Sequence, residues 1–249
     1  MVKNKIDIRE WWEVLTYLKT LGVPDVTRRM LLWGIPGSGK TTYSFNLHPE
    51  AEMETVTKGM FQDAIFGKFL LKDGSTFWSD NFVTRAARKN CPAIINEFNE
   101  AGAELDAPLN KALDDASICR FNLDSGEVVT PGDGFQIVAT MNGSPDQLKE
   151  SLLDRFDVIL RCDLPHPGIV KRLRPGSAAF LVNKIRNTPD TETFSPKIST
   201  RNMLRFDKLV AVGVPEPFAA DLIFGEGQGK AVLNGTIDAA RNIETAAGK

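Results

Sequence analysis

The sequence predicts an α/β fold. It is a three-layer αβα arrangement, a parallel sheet that carries hairpin insertions between two layers of helices, and a small α-helical domain follows. Three observations lead there. Short apolar runs at residues 30–33, 93–95, 135–141 and 158–161 read as strands. Helical stretches separate them, and strands alternating with helices argue for a parallel sheet covered on both faces. Beyond Pro165 and Pro167 the strand signal fades and helical spacing takes over. That places a boundary near residue 166, with a core over residues 1–165 and a helical domain over 166–249.

Composition narrows the classes. The chain has 249 residues, 42% hydrophobic and 25% charged, ordinary for a globular protein of one large domain or two small ones. A net charge of -2 gives no general attraction to nucleic acid or to an anionic membrane. Cys91, Cys119 and Cys162 are odd in number and far apart, which fits a reducing compartment and shows no metal spacing. With only His48 and His166, a His-rich zinc site is not expected. Residues 1–7 lack the apolar core of a signal peptide, and no apolar run approaches membrane-spanning length. The expectation is a cytoplasmic protein.

Taken in order, Trp11, Leu15, Leu18 and Leu21 stand at helical spacing and predict an amphipathic helix over residues 8–21. Trp12 widens its apolar face, and both tryptophans read as packing groups. Gly22, Val23, Pro24 and Asp25 end the helix, with Asp25 or Thr27 capping a short turn. The strand at 30–33 enters a glycine-rich loop, after which Thr42, Tyr43, Ser44 and Phe45 start a helix that His48, Pro49 and Glu50 break. Residues 51–60 are polar and ambiguous. Asp73-Gly74 between apolar-rich runs is a hairpin signal. Residues 82–88 read as a short helix, and Leu105, Leu109 and Leu113 give another at period four. Residues 118–123 read as a strand that Asp124-Ser125-Gly126 turns back into residues 127–129. Residues 181–185, 203–212, 217–224 and 237–247 look helical.

The loop comprises Gly34, Ile35, Pro36, Gly37, Ser38, Gly39, Lys40, Thr41 and Thr42. Strand, glycine loop, helix is the setting a phosphate-binding loop needs. Gly34, Gly37 and Gly39 let the backbone turn tightly and aim its N–H groups inward. The next helix adds its positive end. Lys40 can reach outer phosphates, and the Thr41 hydroxyl can ligate Mg²⁺. The alternative, a plain glycine turn, explains the flanking pattern less well.

Further along, Asn96-Glu97, Asn142, Arg155 and Arg201 follow in an informative order. They sit within Ile94-Ile95-Asn96-Glu97-Phe98-Asn99-Glu100-Ala101, Ala139-Thr140-Met141-Asn142, Leu153-Asp154-Arg155-Phe156 and Ser199-Thr200-Arg201. On these motifs and the loop, the sequence resembles the AAA+ ATPases of the MoxR-like and dynein-related branch, over residues 30–210. The resemblance implies a P-loop NTPase core with a helical lid, ATP and Mg²⁺ as cofactors, and hydrolysis to ADP and phosphate. It implies assembly with other copies, a hexamer by family precedent, acting on a client protein.

The resemblance also implies roles. Glu97 matches the acid that polarises the attacking water, and Asn142 the first sensor; an Asn before Gly143 also suits a turn. Arg155 matches the arginine finger that enters a neighbour's site, against a structural salt bridge with Asp154 or Asp157. Arg201 matches the second sensor, against a surface arginine in a capping region, with Ser199 or Thr200 as the N-cap. Thr41 and Asn96 match the Mg²⁺ positions, Asn96 through water. Here the chain departs from the family, which usually carries Asp. Asn keeps a carbonyl oxygen but removes a full charge beside a dication, so weaker Mg²⁺ retention and slow turnover are expected. The two hairpins resemble insertions that face a pore or a client in relatives, against solvent-exposed turns.

Two other functions compete. An ATP-dependent assembly switch with little turnover is favoured by Asn96. A P-loop kinase shares residues 34–41 but gives no reason for Asn142, Arg155 and Arg201 in that order. No feature encodes the client. No appended domain is apparent, so specificity is expected to rest with a separate partner.

Overall fold

Residues Arg29–Trp33 form β1, and their Arg-Met-Leu-Leu-Trp run shows why. Leu31 and Leu32 point to opposite faces of a strand, yet both are fully buried. Only a strand covered on both sides reads as a continuous apolar run. The computed structural model describes residues 10–21, 27–187 and 198–247. The predicted helix start at residues 8 and 9, the stop at Gly22 to Asp25 and the segment 1–7 lie outside them.

Among the described residues the chain divides into two compact units, Met1–Gly34 with Lys40–Arg161, and Ile35–Gly39 with Cys162–Lys249. The first unit opens with α1 (Trp11–Leu21). After β1 come α2 (Lys40–Leu47), β2 (Glu52–Thr55) and α3 (Gln62–Phe66). Then follow a hairpin of β3 (Gly67–Lys72) and β4 (Ser75–Asp80), α4 (Phe82–Lys89) and β5 (Ala93–Asn96). The unit is completed by α5 (Asp106–Ala112), β6 (Phe121–Asn122), β7 (Val128–Val129), β8 (Ile137–Thr140), α6 (Glu150–Leu153) and β9 (Val158–Arg161).

Its five-stranded sheet runs in the order β2-β5-β8-β1-β9. Every pairing in it is parallel. The expected parallel α/β sheet is therefore present. The β3–β4 hairpin turns through Asp73 and Gly74, both at positive φ, as a two-residue loop between twisted strands requires. Phe66, Phe82, Phe98, Phe121 and Phe135 fill the core beside the sheet. Burying each such ring contributes about 1.5–3 kcal/mol.

Four sequence readings need correction. The ambiguous stretch 51–60 contains β2, an edge strand missed because three of its four residues are exposed and only Met53 is apolar. The run at 158–161 is not a core strand but the opposite edge, with Ile159 46% exposed. The strand over 118–123 shrinks to Phe121–Asn122, and Ile118 is exposed. Leu21, placed on the apolar stripe of α1, is exposed at the last helical residue, while Trp11 and Leu15 carry the packing. Trp11 meets Trp12 and Tyr43 edge to face, each at 5.4 Å. The Thr27 hydroxyl accepts from Gln136 Nε2 at 3.2 Å.

The second unit is helical: α7 (Pro167–Val170), α8 (Pro175–Arg186), α9 (Thr200–Ala211), α10 (Glu216–Phe224) and α11 (Glu226–Ala247). Leu181, Met203, Phe206, Phe224 and Val232 form its core. Asp207 is buried among them but fully engaged. It accepts from the Arg174 backbone N–H and Nε, both at 2.8 Å, and from Ser177 Oγ at 2.7 Å. A buried carboxylate is tolerable only with such partners. This one fixes α9, and so the position of the helix N-terminus at Thr200.

Candidate nucleotide site

Lys40 sits at the N-terminus of α2 with 6% of its surface exposed. A buried ammonium needs acceptors. Its Nζ donates to the Gly34 carbonyl and to Asn142 Oδ1, each at 3.2 Å. Asn142 follows β8 by two residues and turns its amide nitrogen the other way. Asn142 Nδ2 donates to the two Glu97 carboxylate oxygens at 3.2 and 3.0 Å. One neutral amide thus bridges a cation and an anion, and the charges at its ends fix which way it points. The bridge links the ends of adjacent strands β5 and β8 to the helix after β1.

Glu97 holds this position at a conformational cost. It lies in the left-handed region, φ 56 and ψ 43, uncommon for a residue with a Cβ. Such strain costs about 1–3 kcal/mol and persists only where the surroundings impose it. The next residue supplies the anchor. Phe98 is fully buried and packs edge to face on Phe156 at 5.5 Å. The chain must turn sharply out of β5, and the carboxylate swings toward Asn142.

Asn96, the last residue of β5, organises a second set. Its Oδ1 accepts from Thr41 Oγ1 at 2.6 Å and from Thr140 Oγ1 at 2.8 Å. Its Nδ2 donates to Thr55 Oγ1 at 3.1 Å. Parallel register places Thr55 of β2 opposite Asn96. Thr55 and Thr140 were missed as site residues. Thr55 lay in the ambiguous stretch, and Thr140 stood beside Asn142, which took the whole of the motif's reading. Hydroxyls can donate or accept, so the same three would serve an aspartate here.

Residues 35–39 belong to the second unit, and their geometry is set there. Ser38 is fully buried, and its carbonyl accepts from the His166 backbone N–H at 2.9 Å. Gly37 has φ +79, and a Cβ on it would stand 3.3 Å from the Arg201 backbone nitrogen and 3.4 Å from Thr200 Cβ. Gly39 has φ +98, strained for any side chain. Glycine is required at both positions by conformation, and at Gly37 by the approach of α9 as well. Arg201 is the second residue of α9, whose N-cap is Ser199, accepting from the Asn202 N–H at 3.3 Å. Burial pushes the His166 imidazole below its ordinary value, so it is neutral near pH 7. Its Nδ1 then accepts from Gly168 N at 3.1 Å.

Arg155 lies in the turn between α6 and β9. It forms the ion pair that the sequence left open, but not with Asp154 or Asp157. Its partner is Asp114, at 2.5 Å. Asp157 is engaged by Arg29, whose Nη2 stands 2.5 Å away. The side chain of Arg155 stays 37% exposed.

The donor set suits a nucleotide with Mg²⁺. Glycines at positive φ and a buried lysine suit phosphates, and the Thr41 hydroxyl and Asn96 carbonyl are hard oxygens. Among the described residues no cluster of three His, Cys, Asp or Glu forms a protein-only metal cage. Mg²⁺ bound through one or two protein oxygens plus phosphates needs none.

Sheet order, loop and strand-end polar residues together define a P-loop nucleotide-binding protein of the AAA+ type. The family model for the AAA domain (dynein-related subfamily) matches residues 29–156. The chain belongs to this family, and within AAA+ it is of the MoxR-like, dynein-related kind. It is similar to protein NorQ of Paracoccus denitrificans (strain Pd 1222), 30% identical over 147 residues, covering 56% of this chain and 54% of NorQ. The chain thus spans about half the length of the curated relative it matches. A crystal structure from Cytophaga hutchinsonii ATCC 33406, of a proposed ATPase, superposes with a TM-score of 0.50 at 15% identity. That match covers 81% of this chain and 59% of the other, and it supports the fold. No helix among the described residues is long and apolar enough to cross a membrane.

Proposed function

We propose that the chain hydrolyses ATP at the junction of two copies in a head-to-tail ring, a hexamer by family precedent, and uses the cycle to remodel a partner protein. The observation that carries this reading is the Lys40–Asn142–Glu97 bridge. In it a phosphate-binding cation, an amide and a carboxylate converge from three elements. Lys40 and the loop amides bind the phosphates. Glu97 orients water for in-line attack and takes up its proton. Asn142 touches both the outer phosphate and the water. Arg155 of the neighbouring copy offsets the charge developing on the transferred group, a contribution of roughly 10³–10⁵ in rate for such residues. Arg201 is the second sensor of the phosphates, as its place in the Ser199-Thr200-Arg201 motif implies. Thr41 holds Mg²⁺, with Asn96 contacting it through water. When bound, the ion neutralises phosphate charge. The experiment is steady-state phosphate release alongside sizing with and without ATP. An active assembly supports the reading, and a fully active monomer would sink it.

Asn96 favours a second reading, an ATP-gated assembly switch with slow turnover. Unit charges 4 Å apart in water interact by about 1 kcal/mol, so a missing carboxylate weakens ion retention measurably. Asn96→Asp is expected to lower the Mg²⁺ concentration for half-maximal rate by at least about fivefold and to raise turnover. The three surrounding hydroxyls can accommodate the change. A Mg²⁺ titration of both forms checks it, and identical curves would make the substitution silent. Tight ATP retention without phosphate release would select the switch. A phosphorylated acceptor in place of free phosphate would select a kinase.

A further inference from the structure

Both hydrogen bonds of the Arg155 guanidinium fall on one nitrogen. Nη1 donates to Asp114 Oδ1 at 2.5 Å and to the Asn110 carbonyl at 3.3 Å. Nε and Nη2 have no partner among the described residues. The group is therefore gripped at one corner, and the edge that suits two-point contact with phosphate is left open.

The backbone beneath it is pinned from both flanks. Asp157 accepts from the Arg29 backbone N–H at 2.8 Å, from Nε at 3.1 Å and from Nη2 at 2.5 Å. Arg29 Nη1 pairs with Asp115 at 2.9 Å and donates to the Leu113 carbonyl at 3.0 Å. These contacts hold the Arg29 guanidinium above its ordinary pKa, chiefly through the bond to Asp157. Between the flanks, Phe156 is buried against Phe98. Consecutive acids after α5 thus serve the two sides of Phe156. Asp114 acts on Arg155 directly, and Asp115 acts on Asp157 through Arg29.

We propose that Asp114 is a positioning residue for the reaction in the neighbouring copy, holding Arg155 by Nη1 so that its Nε–Nη2 edge is presented to that copy's phosphates. This rests on the reading of Arg155 as the residue that completes an adjacent site. The physical gain is preorganisation. A long side chain loses rotamer freedom when it docks, and one already held loses less. Donors fixed before the reaction need no rearrangement when charge develops. Stability is not what the pair is for, since half-exposed ion pairs contribute little to it. The opposite device, an acid that restrains Arg155 away from its target, would give the opposite sign on removal.

The test is steady-state ATPase on the full chain with Asp114→Ala and Asp114→Asn, with thermal midpoint and particle size in ATP measured on the same samples. The expected result is a fall in kcat of roughly tenfold for Asp114→Ala. KM for ATP should stay within about twofold, with assembly retained. Asn keeps an acceptor, so Asp114→Asn should recover part of the loss. A kcat equal to wild type in Asp114→Ala overturns the proposal, as does a rise. If the alanine variant does not fold, Asp114→Asn decides. A kcat reduced by several-fold at constant KM supports the proposal, and an unchanged or raised kcat overturns it. Full activity of Arg155→Ala would instead remove the underlying reading, so the two failures are distinguishable.

Discussion

Glu97→Gln is expected to cut phosphate release by roughly 10²–10⁴-fold while leaving ATP bound. The substitution is nearly isosteric, and the glutamine oxygen can still accept from Asn142 Nδ2, as the carboxylate does at 3.0 Å. Nothing in the packing of Phe98 or in the left-handed turn depends on the charge. What disappears is the anion that orients water and receives its proton. Single-turnover phosphate release and retention of labelled ATP on the same sample check this. A rate within twofold of wild type would remove Glu97 from the chemistry. A variant that fails to hold ATP would mean that the carboxylate serves binding.

Lys40→Ala is expected to act earlier, on binding. A hydrogen bond to a charged group contributes about 1.5–3 kcal/mol, so losing it should weaken ATP binding by roughly 10–150-fold. The fold should survive, because alanine is the better helix former and Lys40 opens α2. The loss also leaves Asn142 Oδ1 without its ammonium donor. The amide is then freer to turn, and Glu97 loses part of its restraint. Titration of a fluorescent ATP analogue measures the affinity. Unchanged affinity would mean that the buried ammonium serves the protein's own acceptors and not the nucleotide.

The central strands were legible because strands buried on both faces need apolar residues at every position. Leu31, Leu32, Ile94, Ile95 and Val138 are all of this kind. The edge strands were harder, since β2 has an exposed Glu-Met-Glu-Thr sequence and its strand character comes from pairing with β5. The long α11 was read only from residue 237, because Gly227, Gly229 and Gly235 mask its start. The loop and the strand-end residues were legible as motifs, since their spacing is imposed by the chemistry they suit. The partners of those residues were not. Thr55 reaches Asn96 across 41 positions and Asp114 reaches Arg155 across 41. Such contacts are created by topology and leave no local pattern in the chain.

Mixing two disabled forms tests most directly the claim that each site is shared between copies. Arg155→Ala keeps an intact loop, and Lys40→Ala keeps an intact Arg155. Each alone should hydrolyse ATP at a small fraction of the wild-type rate. In randomly mixed rings about a quarter of junctions pair a working loop with a working arginine, so phosphate release should recover toward that fraction of wild type. Recovery on mixing is the result predicted here. Mixed assemblies that stay as inactive as their parts, or an Arg155→Ala protein active by itself, would contradict it.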